Sequence, residues 1–81
     1  MVSVTLYGKP GCHLCEQARE VLLGVQSEIA FTLTDVNILD NEELFAEYAE
    51  SIPVVDIGDS FFCRYRIDPH ELKMRIQKEQ S

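Results

Sequence analysis

The sequence predicts an α/β fold: a mixed four-stranded sheet with helices on both faces, in the order β-α-β-α-β-β-α. Three observations carry the prediction. Segments with the two-residue period of a strand alternate with segments of helical period. A turn at Gly58-Asp59-Ser60 joins the last two strands directly, without an intervening helix. The pair Cys12-His13-Leu14-Cys15 lies at the junction of the first strand and the first helix. Strands joined through helices are expected to run parallel and the final hairpin antiparallel.

Val2 to Tyr7 alternates β-branched, aromatic and small residues as a strand does, and Gly8-Lys9-Pro10-Gly11 punctuates it with a sharp loop. Leu14, Ala18, Val21, Leu22 and Val25 then recur on one helical face, with Glu16, Gln17, Arg19 and Glu20 on the other. Ile29 to Val36 reads as the second strand. Asp40 with Glu43 three residues on resembles a capping box, opening a helix that stacks Leu44 over Tyr48 and Phe45 over Ala49. Pro53 to Ile57 forms the third strand and Phe61 to Ile67 the fourth. Strict alternation would put Phe61, Cys63, Tyr65 and Ile67 on one inward face and Phe62, Arg64 and Arg66 on the other. Asp68 as N-cap, Pro69 at the first helical position and Glu71 at the third begin a last helix with Leu72 and Ile76 inside. Gln77 to Ser81 is expected to fray.

The 81 residues make a single domain, 1–81, without linker or internal repeat. A formal charge of −7 with no Lys/Arg cluster argues against nucleic acid and against anionic membranes as partners. No apolar run approaches the ~20 residues of a membrane span, and Met1 to Tyr7 does not read as a signal peptide. A cytoplasmic address is therefore expected. There a dithiol is held reduced and is more often catalytic than structural.

Two residues between Cys12 and Cys15 let both sulfurs meet across the first helical turn and close a small disulfide. A sulfur at the helix start faces unpaired backbone N–H groups and the positive end of the macrodipole, which favour the thiolate. Cys15 borders the apolar stripe through Ala18 and Leu22, so Cys12 is expected to be the more exposed sulfur and the nucleophile, with Cys15 resolving.

Tyr7-Gly8-Lys9-Pro10-Gly11-Cys12-His13-Leu14-Cys15, with Ser51-Ile52-Pro53-Val54-Val55 about forty residues on, resembles the glutaredoxin-like members of the thioredoxin superfamily. The likeness extends over almost the whole chain in element order and implies a thioredoxin-like fold. It also implies thiol–disulfide oxidoreductase activity through a Cys12–Cys15 cycle, with a cis Pro53 lying against the dithiol. In the family the backbone before that proline, here Ile52, pairs with an extended thiol substrate. Expected partners are protein or small-molecule disulfides, with glutathione or a thiol reductase as candidate electron donor, no bound cofactor, and a monomeric protein. The sequence departs from the familiar dithiol glutaredoxins in having His13-Leu14 between the cysteines. It also places Cys63-Arg64-Tyr65-Arg66 where they carry the Gly-Gly and Asp-Asp region that holds glutathione.

Other residues carry two readings each. Lys9 either stabilises the thiolate or holds a substrate carboxylate, or is a solvated loop lysine. His13, beside the nucleophile, either favours the thiolate as imidazolium or is an exposed histidine without that effect. Cys63 is expected to be a small core thiol. Two functions compete with the dithiol enzyme. One is a metal or iron–sulfur site built from Cys12, Cys15 and His13 or Cys63, against which stands the want of a fourth ligand. The other is a redox-quiet interaction module that keeps only the fold.

Overall fold

The computed structural model describes residues 1–80. Four strands form one sheet, β1 (Ser3–Gly8), β2 (Thr32–Asn37), β3 (Val54–Ile57) and β4 (Ser60–Arg64), in the spatial order β2-β1-β3-β4. Three α-helices accompany them: α1 (His13–Gln26), α2 (Glu42–Tyr48) and α3 (Pro69–Gln80). A single 3-10 turn, Ile38–Asp40, precedes α2. The predicted α/β class and element order are those observed.

The helices divide unequally between the two faces. Val4 and Leu6 of β1 with Val55 and Ile57 of β3 point to the side where α1 contributes Ala18, Leu22 and Val25 and α3 contributes Leu72 and Ile76. This is the main core, closed by Phe31 and Ile67. Tyr7, with the opposite parity to Leu6, faces α2, and its ring meets that of Tyr48 at 4.9 Å between centroids. Leu44 and Tyr48 of α2 complete a smaller cluster with Ile38, Ile52 and Cys15 at the end of β1.

β1 and β2 run parallel, joined by the crossover through α1. β3 does not follow the same rule. It pairs antiparallel with β1 although a helix separates it from β2, so the expectation that helix-joined strands are parallel fails here. The register gives the reason. The chain leaves β2 at Asn37, opposite Gly8, and enters β3 at Val54, opposite Tyr7. Residues 38–53 thus start and finish at the same end of the sheet, and a seven-residue helix does not carry the chain back to the far end.

Two local expectations are also corrected. Val55 pairs with Cys63 while Asp56 pairs with Phe61, which leaves Phe62 as the extra residue of a β-bulge. The bulge breaks the period of two. Phe62 and Cys63 both pack against the main core, and Phe61, expected inward, is 58% exposed. The strand then stops at Arg64, and Tyr65, also expected inward, is turned outward with φ at 68°. At the start of α2 the capping side chain is Asn41, whose Oδ1 accepts from the N–H groups of Glu43 and Leu44; Asp40 lies inside the preceding 3-10 turn. The last helix keeps its predicted start. Asp68 Oδ1 accepts from His70 and Glu71 N–H at 2.9 and 3.3 Å. It continues to Gln80 instead of fraying from Gln77, and Gln80 Nε2 donates to the Ala30 carbonyl at 3.2 Å. Ser81 lies outside the described residues.

Candidate active site

β1 delivers the chain to the site and α1 takes it away. Between them, Gly11 adopts φ 78°, a left-handed turn residue that needs no side chain. Cys12 N–H reaches back to the Lys9 carbonyl at 3.4 Å, so the loop closes on itself just before the helix. Cys12 is the N-cap of α1, extended at φ −89° and ψ 111°. Its Sγ accepts from Cys15 N–H at 3.2 Å, satisfying one of the orphan donors of the first turn. A backbone N–H donor at the positive end of the helix dipole bonds more strongly to a thiolate than to a thiol and so favours the ionised sulfur.

The Sγ atoms of Cys12 and Cys15 lie at disulfide-bonding distance, with Cα atoms 5.2 Å apart, inside the range a disulfide spans. Cys15 is 7% exposed, whereas Cys12 is only half-buried. One sulfur is thus offered outward and its mate kept inside. Ile52 packs in the same cluster as Cys15, with Cys12, Tyr7, Leu44 and Tyr48 at its margin. The Ile52–Pro53 peptide bond is cis. Cys12 and Cys15 therefore meet Ile52, and with it the adjoining Pro53, from two separate parts of the chain.

Lys9 and His13 take different places. Lys9 is exposed and, with Gly8, Pro10, Glu16 and Asp35, lines a cavity of about 210 Å³ that reaches Cys15. On its wall Arg19 Nε pairs with Asp35 Oδ2 at 3.2 Å. His13 is turned along the helix, its Nε2 3.0 Å from Gln17 Nε2. Among the described residues no three His, Cys, Asp or Glu side chains converge as a metal site would need.

The family model described as Glutaredoxin-like domain (DUF836) matches residues 3–77. The chain belongs to this family. The glutaredoxin-like protein YDR286C homolog of Dictyostelium discoideum is 26% identical over 94 residues, spanning 99% of this chain and 87% of its own length. Among solved structures, protein Ne2328 of Nitrosomonas europaea superposes with a TM-score of 0.79 at 32% identity, covering 91% of this chain and 89% of its own. Protein XcR50 of X. campestris gives 0.76 at 28% identity, covering 93% and 96%. A malaria-parasite thioredoxin-2 gives 0.74 at 19% identity over 96% and 82%, a likeness of fold alone.

Three features of this glutaredoxin-like site were not singled out in the sequence. Gly8 was read as loop punctuation, but it abuts the dithiol: a Cβ there would sit 3.0 Å from Cys15 Sγ. A glycine at the very end of a strand is the available signal for such close approach. Asp56 lies beside Tyr7. Burial pushes its carboxyl above the ordinary range, an effect that the hydrogen bond from Tyr7 opposes and the charge of Glu47 reinforces. Tyr7 and Tyr48 are both raised as well, chiefly by burial and then by neighbouring acids. The partnership of Tyr7, Tyr48 and Asp56 depends on the antiparallel register of β3, which the sequence pattern did not give. Cys63 is no part of the site. Burial, followed by the charge of Glu71, pushes its thiol up to about 11, so it stays protonated near neutrality.

Proposed function

We propose that this glutaredoxin-like domain is a thiol–disulfide oxidoreductase that cycles Cys12 and Cys15 between dithiol and disulfide. The single observation that carries the reading is the asymmetric pair: a half-exposed sulfur capping α1 and a buried sulfur one turn behind at bonding distance. The Cys12 thiolate attacks a substrate disulfide, forming a mixed disulfide and expelling one substrate thiolate, which takes up a proton. Cys15 then loses its proton and attacks Cys12 Sγ, releasing the second substrate thiol and leaving the Cys12–Cys15 disulfide. Two electrons pass to the substrate, and an external thiol reductant, with glutathione as candidate, returns them.

The extended substrate lies along the backbone of Ile52, beside Pro53. No group among the described residues donates to or accepts from the Ile52 backbone, which leaves it open for strand-like pairing. Substrates are protein or small-molecule disulfides, and the setting is a reducing compartment such as the cytoplasm. Lys9, which lines the cavity that reaches Cys15, is the proposed contact for a substrate carboxylate.

The test is reduction of a disulfide-bonded peptide by the reduced protein. Cys12→Ser is expected to abolish it, and Cys15→Ser to accumulate a covalent adduct through Cys12 that mass spectrometry detects. Equal turnover by both variants and the unaltered protein would refute the cycle.

A further inference from the structure

Tyr65 is held in a backbone conformation that a tyrosine rarely adopts, and both of its hydrogen-bond donors are spent on one loop. Its φ of 68° is the only positive value at a non-glycine residue among those described. Arg66 N–H donates to the Arg64 carbonyl at 2.8 Å across it, so Tyr65 is the centre of a γ-turn of the rare, strained kind. The turn aims Tyr65 N–H at the Pro53 carbonyl, 2.8 Å away. The side chain reaches back in the same direction, and its hydroxyl donates to the Glu50 carbonyl at 3.0 Å. One residue thus grips the chain on either side of Ile52. Besides these, Ser51 N–H donates to the Tyr48 carbonyl at 2.9 Å, which ties the loop to the end of α2.

We propose that Tyr65 is a positioning residue: its strained turn and hydroxyl fix the segment from Glu50 to Pro53, and so fix where the Ile52 backbone meets an extended substrate. The proposal rests on the reading of Ile52 given under the proposed function. Tyr65 touches neither sulfur in this account and acts only through the loop. Its influence should fall on substrates that need backbone pairing and spare those that do not. A disulfide-bonded peptide belongs to the first class, and a small aromatic disulfide, which offers no peptide backbone, to the second.

The experiment uses the full chain with Tyr65→Phe, which deletes only the hydroxyl, and Tyr65→Gly, which also removes the side chain and relaxes the turn. Loss of one such hydrogen bond is expected to raise KM for the disulfide-bonded peptide about two- to tenfold with kcat retained. The rate with the small aromatic disulfide should be unchanged, and Tyr65→Gly should exceed Tyr65→Phe. Independently of turnover, amide hydrogen exchange at Ser51 and residue 65 should quicken while amides of β1 and β3 stay as they were. An unaltered peptide KM, an equal loss on both disulfides, or unchanged exchange at Ser51 overturns the positioning role. If the unaltered protein reduces neither disulfide, the dithiol cycle itself falls, and the exchange measurement still decides whether Tyr65 clamps the loop.

Discussion

Gly8 and Cys15 lie close enough that a side chain on Gly8 would crowd the sulfur. A methyl group on Gly8 would lie 3.0 Å from Cys15 Sγ and 3.2 Å from its Cβ, tight enough that Cys15 must give by a few tenths of an ångström. Its backbone is not in the left-handed region, so the conflict is one of room and not of φ. Gly8→Ala is therefore expected to destabilise the fold by about 1–3 kcal/mol, the ordinary range for overpacking. It should also displace Cys15 relative to Cys12. Denaturant unfolding and the rate of disulfide closure check the two effects. Unchanged stability together with unchanged closure would mean that Cys15 has freedom the packing denies it.

The helix α1 obtains its cap from a cysteine, because Cys12 Sγ accepts from Cys15 N–H. Serine there keeps an acceptor, whereas alanine has none. In the reduced protein Cys12→Ala is expected to be about 1 kcal/mol less stable than Cys12→Ser, measured by urea unfolding. Equal stabilities would show that the cap contributes nothing. The helix and strand order was legible in the sequence because α1 and α3 carry clear apolar stripes and Asp68-Pro69 is a strong start signal. The dithiol was legible because Cys12 and Cys15 are close in sequence and flanked by a strand and a helix. What escaped depends on pairing between strands. The bulge at Phe62 inverted the face of Phe61, and the antiparallel entry of β3 placed Asp56 beside Tyr7. Neither leaves a trace in local periodicity, since both arise from where a distant strand docks.

Across the whole molecule, Cys63 links the folded state to pH. Its thiol is pushed from the usual 9.0 to about 11, mainly by burial. Between those values the unfolded chain has lost the proton and the folded chain has kept it. Unfolding therefore releases a proton there, and stability falls as pH rises from about 9 towards 11. In Cys63→Val that loss should be absent, so the two proteins should diverge only above pH 9 when their unfolding free energies are compared. Parallel curves throughout would contradict the burial of this thiol. The larger claim concerns the dithiol, where the proposed reactive sulfur is Cys12, set on the start of α1. The most direct measurement is the thiolate absorbance of Cys12 against pH, taken as the difference between Cys15→Ser and the Cys12→Ser, Cys15→Ser double variant. Ionisation well below that of a free cysteine is expected, and ionisation at or above the free value would contradict it.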